Sequence, residues 1–166
     1  MNEPSVVKSF AASFIVVVVA LCASTPVLAG DTPRQTQVER NSERVMPFSM
    51  EATMHHFDPT PDGGVQTVVT HDGDAKQVAL VRSHLRKEAA AFARGDFNDP
   101  ASIHGGDMPG LWIMHAGAKR IDVRYADVPN GAKIVYATKD PKLVAAIHTW
   151  FKAQVSDHGA HATMKM

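Results

Sequence analysis

The chain has 166 residues, and its 17 Lys and Arg balance its 17 Asp and Glu, so its formal net charge is zero at pH 7. This balance does not favour binding to nucleic acid or to an anionic membrane, and neither is expected as a partner. The length suits one globular domain with extensions, and the nine histidines are unusual beside two Trp and two Tyr.

Residues 1–29 have the composition of an export signal. A weak positive charge at Lys8 is followed by an apolar stretch from Phe10 to Cys22. Val27-Leu28-Ala29 then has small residues where signal peptidase requires them, so we expect cleavage after Ala29 and a periplasmic or secreted protein without membrane attachment. The alternative is an uncleaved membrane anchor, for which the apolar stretch is short. The rest of the chain has no cysteine, which excludes disulfides and thiolate ligands and leaves His, Met and carboxylates to bind a metal.

A polar stretch without hydrophobic pattern follows at residues 30–45, and it predicts a flexible leader. The single domain is expected at residues 46–158, with a polar tail at residues 159–166. Apolar residues alternate from Phe48 to Met54, which predicts a strand with one buried side. His56 continues this buried side, while the neighbouring His55 falls on the polar side.

A pattern of turn, strand, helix cap and helix occurs twice, at residues 62–87 and at residues 130–152. The first copy turns at Gly63-Gly64, and the second turns at Asn130-Gly131, a pair that favours a tight hairpin. A further strand precedes each turn, so each copy is predicted to complete a ββα unit.

Each unit ends in an amphipathic helix that follows an aspartate cap. We expect these helices from Asp74 to about Arg94 and from Pro141 to about Val155. Two ββα repeats predict an α+β domain, with a four-stranded antiparallel sheet and two helices packed on one face. The other face is then solvated or covered by a protein partner.

The segment that links the two units, residues 96–117, is rich in Gly, His, Asp and Met. Short helical turns are expected from Asp99 to His104 and from Leu111 to Ala116. Loops of this kind often carry function, because a rigid scaffold holds them in place.

Four histidines are predicted to meet between the sheet and the helices. They are His56 on the first strand, His84 and His148 on the two long helices, and His104 in the linking segment. Neutral imidazole is the commonest metal ligand in proteins, so the set predicts a bound copper or zinc ion, and a nearby thioether would favour Cu(I). The alternative is that each histidine forms a separate hydrogen bond, as His84 would with Glu88.

Short motifs spread along the chain carry a resemblance to a known family. They are Met-His-His-Phe (54–57), Ser-His-Leu (83–85) with Glu88-Ala89, Gly-Asp-Phe (95–97) with Asp99-Pro100, Ile-His-Gly (103–105), Met-Pro-Gly (108–110), Ile-His-Thr-Trp-Phe (147–151) and Asp-His-Gly (157–159). Together they resemble small exported, histidine-rich bacterial proteins that are often labelled aspartate carbamoyltransferase, and the resemblance covers nearly all of the chain after residue 29. A carbamoyltransferase has a Ser-Thr-Arg-Thr phosphate-binding loop, and this run does not occur here. The resemblance therefore implies the family without that activity.

Two other functions are compatible with the same residues. A metal-dependent hydrolase or transferase needs an open metal position and a carboxylate base, for which Glu88, Asp99 and Asp107 are candidates. A binding module would instead use the bare face of the sheet to contact another protein. The sequence assigns no catalytic residue.

Overall fold

A mixed β-sheet forms the centre of the fold in the computed structural model, which describes Met1 and residues 31–165. The predicted export signal lies outside the described residues. The strands are β1 (Thr53–Thr60), β2 (Gly63–Thr70), β3 (Asp122–Val128), β4 (Gly131–Ala137) and β5 (Ala162–Thr163). The α-helices are α1 (Pro33–Val45), α2 (Ala75–Phe92), α3 (Asn98–His104), α4 (Leu111–Gly117) and α5 (Pro141–His158), and short 3-10 turns occupy Ala118–Arg120 and Gly159–His161.

The strand order in the sheet is β3-β4-β2-β1-β5. The neighbours among β1 to β4 are antiparallel, whereas β5 lies parallel to β1 and pairs at His55 and His56. The α+β class is therefore confirmed. The predicted sheet of four antiparallel strands is extended by β5, a strand that comes from residues predicted to form a polar tail.

The two long helices cover one face of the sheet, and each packs mainly on the strands of the other predicted unit. Helix α2 contacts β3 and β4, and helix α5 contacts β1 and β2. Aspartates cap both helices as expected, since Asp74 accepts a hydrogen bond from Gln77 N at 2.8 Å and Asp140 accepts one from Lys142 N at 2.9 Å. The two ββα units are therefore interleaved in one core.

Glycine allows two strands to approach closely in the centre of the sheet. A Cβ atom at Gly131 would lie 1.9 Å from Val68 O, and one at Gly63 would lie 2.1 Å from Tyr136 O. In the turn before Gly131, Asn130 has a φ of 58°, a conformation that asparagine tolerates better than most residues. Both predicted hairpins are present, but their turns lie at residues 61–62 and 129–130, because Gly63, Gly64 and Gly131 already pair within strands.

The stretch predicted to be a flexible leader is instead helix α1, and it belongs to the domain. Thr32 and Gln35 form a reciprocal capping box at its start, which satisfies two amides that a helix end leaves free. Val38 is 1% exposed and Ser42 is 0% exposed, and the helix packs against α3 and α5. The hydrophobic pattern of the sequence did not predict this helix, because only a narrow stripe of its side chains is buried.

The predicted inward orientation of His56 is wrong. Residues 47–52 form bends and a turn, and the Thr53 hydroxyl donates to Ser49 O at 3.0 Å. The strand begins only at Thr53, so the alternation of apolar residues before Thr53 does not determine which side chains of β1 face the core. His55 is consequently 2% exposed, whereas His56 lies on the opposite face, where its Nδ1 is 2.8 Å from the Thr163 hydroxyl.

The face of the sheet opposite the long helices carries half-buried side chains. Met54 pairs across the strands with Val69, and His56 pairs with Thr67, and all four are partly accessible. This face is the surface predicted for a protein partner, and that role remains a prediction. None of the helices in the described part of the chain is both long and apolar enough to cross a bilayer.

Candidate metal centre in a histidine-lined cavity

A small, partly open cavity lies between the inner face of the sheet and the helices that cover it. Its volume is about 40 Å³, which is enough for about three water-sized occupants. Its polar wall consists of His55, His84, Glu88, Asp99, His104, Gln154 and His158, together with Gln66. Apolar side chains such as Phe48 and Trp150 complete the wall, so polar groups face an otherwise apolar space.

The structure brings together two of the four predicted ligands. His84 and His104 line the cavity, and His56 and His148 are not among its lining residues. The Nε2 atom of His148 lies 2.8 Å from Gly63 O and 3.0 Å from Thr60 O. This nitrogen therefore donates to backbone carbonyls of the β1–β2 hairpin. His148 thus forms a separate hydrogen bond, which was the alternative to metal binding in the sequence analysis.

Two histidines outside the predicted set of ligands complete the cavity wall. His55 enters from β1 and His158 from the last turn of α5, and they are 2% and 6% exposed. A signal for His158 was present, because it follows Phe151 by seven residues and continues the buried stripe of the helix. No comparable signal existed for His55, since the phase of β1 depends on the turn before it.

His84, Glu88 and Asp99 form the tightest group of ligand atoms in the cavity. One nitrogen or oxygen of each residue lies within 4.8 Å of the other two. His84 and Glu88 are one turn apart on α2 and share a helix face, while Asp99 comes from the first turn of α3. These are donors that zinc accepts, and copper also accepts imidazole.

Burial makes an ionised carboxylate costly at Glu88 without a cation, whereas Asp99 is more exposed. Burial, followed by the neighbouring Asp99 carboxylate, raises the pKa of Glu88 to about 8. Burial also lowers the pKa of His84, so its imidazole is neutral at neutral pH and has a lone pair to offer. A bound cation would favour the ionised form of Glu88, because opposite charges at short range stabilise each other.

Three buried polar atoms in the cavity wall have no hydrogen-bond partner within the described residues. They are His55 Nε2, Trp150 Nε1 and Gln154 Oε1. Most buried polar groups in proteins are paired, so three such atoms around one cavity indicate that the cavity is built to hold a polar occupant.

A network of charged side chains holds the ring of His104 in place through its Nδ1 atom. Its Nδ1 lies 2.9 Å from Asp157 Oδ2, and Arg34 of helix α1 binds the same carboxylate through two nitrogens at 2.9 and 2.6 Å. Burial acts to raise the pKa of Asp157, but hydrogen bonds from Arg34 and then His104 outweigh it, and the pKa is lowered. An ionised Asp157 therefore accepts from Nδ1–H of His104.

Comparison with known protein families, with curated proteins and with solved structures finds no match to this chain. The arguments about its function accordingly come from the geometry and chemistry of the cavity.

Proposed function

We propose that this chain is an exported metal-binding protein that holds zinc, or copper in its place, through His84, Glu88 and Asp99. The observation that carries the proposal is the convergence of these three ligand atoms within 4.8 Å of one another in the wall of a small, partly open cavity. The periplasmic or secreted location comes from the sequence of residues 1–29 and is part of the proposal.

Charge balance favours a divalent ion at this group. Two ionised carboxylates and one neutral imidazole neutralise a 2+ ion, and a neutral assembly is the one least penalised by burial. Zinc takes nitrogen and oxygen ligands of this kind at about 2.0–2.2 Å. A monovalent Cu(I) ion would leave one negative charge in the cavity and would lack the soft ligands that it prefers.

The size of the cavity supports binding of an ion over catalysis on a larger substrate. Pockets for small-molecule ligands usually have volumes of about 300–1,000 Å³, whereas this cavity has about 40 Å³. The carbamoyltransferase label would also require a phosphate-binding loop that the chain lacks. Metal binding therefore explains the polar groups in the cavity with fewer additional requirements than a hydrolase or transferase does.

The test is a calorimetric titration of the exported protein, freed of metal with a chelator, with zinc and separately with Cu(II). We expect one zinc ion per chain, and a large loss of zinc affinity in His84→Ala and in the nearly isosteric variants Glu88→Gln and Asp99→Asn. His71→Ala is the matched control, since His71 is exposed and remote from the cavity lining. Unchanged zinc binding in all three cavity variants would refute the proposed site.

A further inference from the structure

We propose a second metal site in the same cavity, formed by the imidazoles of His55, His104 and His158, which binds copper while zinc occupies the first site. The three residues belong to different elements, namely the middle of β1, the C-terminal end of α3 and the C-terminal end of α5. Such a site goes beyond the proposed function, because it provides for a second ion of different chemistry.

The spacing of the rings suits ligation of one ion. The ring centre of His158 lies 5.2 Å from that of His55 and 4.9 Å from that of His104. Two imidazoles that bind one tetrahedral ion through bonds of about 2.1 Å have ring centres about 5 Å apart. In contrast to the first site, the nitrogens of these three rings do not all lie within 4.8 Å of one another in the structure, so an ion would have to turn the rings about their side-chain bonds to bind all three.

His104 is already prepared as a ligand. Its Nδ1–H donates to Asp157 at 2.9 Å, which places the free lone pair on Nε2, on the other side of the ring. Histidines that bind metals usually donate their second nitrogen to a carboxylate or carbonyl in this way, which fixes the tautomer and strengthens the ligand. Arg34 holds Asp157 in turn through two contacts, so the arrangement extends from the cavity to helix α1.

The other two imidazoles are buried beside each other. His55 Nε2 is buried and has no hydrogen-bond partner among the described residues. His158 is 6% exposed, and its ring lies against those of His55 and His104. An ion bound here would satisfy a buried nitrogen that is otherwise uncompensated.

Phe48 packs against one ligand of each proposed site. Its ring centre is 5.9 Å from that of His55 and 5.6 Å from that of His84. Because this apolar ring contacts a ligand of each group, the proposal assigns a separate ion to each group. The cavity then has a carboxylate-containing end and an imidazole-only end.

The ligands select copper at the imidazole-only end. Three neutral imidazoles leave the whole charge of the ion in a buried space, and this costs less for Cu(I) than for a divalent ion. Met46 also lines the cavity, and a thioether that reaches an ion favours Cu(I). The two ends differ in charge, which is the basis for binding two different metals.

The test loads the exported protein with one equivalent of zinc and titrates it anaerobically with Cu(I) against the chromogenic chelator bicinchoninate. We expect bound copper with retained zinc, measured as metal content after desalting. Removal of the group that hydrogen-bonds to a metal ligand can lower metal affinity by roughly 100-fold. His158→Ala removes the ligand itself, so it should lower copper affinity by more than this and leave zinc affinity unchanged. His148→Ala is the matched control, because it lies on the same helix but hydrogen-bonds to the hairpin outside the cavity.

A second measurement keeps the test decisive if His158→Ala fails to fold. X-ray absorption at the copper edge of the zinc-loaded wild-type protein with one equivalent of Cu(I) should show a shell of imidazole nitrogens around copper, and a shell dominated by oxygen ligands would overturn the inference. Displacement of zinc by copper, or unchanged copper binding in a folded His158→Ala variant, would also overturn it. If the protein binds copper but not zinc, the imidazole-only site stands and the proposed zinc site is refuted. If it binds zinc but not copper, the zinc site stands and the imidazole-only site is refuted.

Discussion

The Nδ1 atom of His104 and the Oδ2 atom of Asp157 lie 2.9 Å apart, and Arg34 of helix α1 binds this carboxylate from the other side at 2.6 Å. This chain of contacts links the N-terminal helix to the cavity wall through one carboxylate. Arg34 also donates to the backbone oxygen of His104 at 2.6 Å, so helix α1 holds both the backbone and, through Asp157, the ring of this histidine.

The first prediction is that Asp157→Asn weakens the imidazole-only site. The amide still accepts from His104 but has no charge, so we expect about tenfold lower copper affinity. We also expect a loss of about 1–2 kcal/mol in the free energy of unfolding, because Arg34 is half exposed and its lost pairing is partly replaced by water. Asp122→Asn is the control, since Asp122 lies exposed on strand β3. Equal copper affinity in the two variants would contradict this account of His104.

The second prediction is that helix α1 contributes to global stability. Val38 is 1% exposed, so Val38→Ala removes buried methyl groups and should lower the free energy of unfolding by about 1–3 kcal/mol. Glu43→Ala, on the exposed side of the same helix, should change it by less than about 0.5 kcal/mol. Urea denaturation followed by circular dichroism measures both values. A flexible leader would give no difference between the two variants.

Much of the fold follows from local patterns in the sequence. The hairpin turn at Asn130, the aspartate caps and both long helices are found close to their predicted bounds, since each depends on a few adjacent residues. Helix α1 and strand β5 were not predicted, because both are short or mostly polar and are stabilised by contacts with distant elements. The capping box at Thr32 was the available local signal for α1.

The candidate site was less predictable, for a physical reason that two adjacent residues illustrate. Successive side chains in a strand point to opposite faces, so a phase error of one residue exchanges the buried and exposed sets. The turn that ends at Ala52 introduces such a shift, and His55 rather than His56 enters the core. A helical histidine such as His84 was easier to place, because its position follows from the apolar stripe beside it.

The third prediction concerns export. Cleavage after Ala29 leaves three residues up to and including Thr32, the residue that caps helix α1, so the mature chain retains the complete helix. N-terminal sequencing of the protein from a soluble extracytoplasmic fraction should begin at Gly30. An intact Met1, or recovery of the protein only with membranes, would contradict this prediction.

The fourth prediction is that the metal-free protein loses stability as the pH falls below about 6.5. Burial, followed by the neighbouring His84, lowers the pKa of His55 from 6.5 to about 3. Between these values the unfolded chain binds a proton that the folded chain does not, so the free energy of unfolding falls with decreasing pH, by about 1.36 kcal/mol per unit for this residue. His55→Leu should remove this part of the slope, and His71→Leu, at an exposed position, should leave it unchanged.

The fifth prediction is a loss of stability in the opposite direction, as the pH of the metal-free protein rises towards 8. The pKa of Glu88 is raised from 4.5 to about 8 by burial and then by Asp99. Over this range the folded state binds a proton that the unfolded state has lost, so the contribution of Glu88 to stability declines as the pH rises. Above about pH 6.5 the buried histidines no longer oppose this decline, and maximal stability is expected near that pH.

Denaturation of the metal-free protein between pH 6.5 and pH 8.5, with chelator present, measures the decline due to Glu88. Glu88→Gln should abolish it, because the amide does not ionise, and Glu43→Gln on the surface of helix α1 should retain it. Saturating zinc should also reverse the decline in the wild-type protein, since the ion binds the ionised carboxylate and stabilises only the folded state. A decline that persists in Glu88→Gln would show that another group is responsible and that Glu88 is not the buried acid of this cavity.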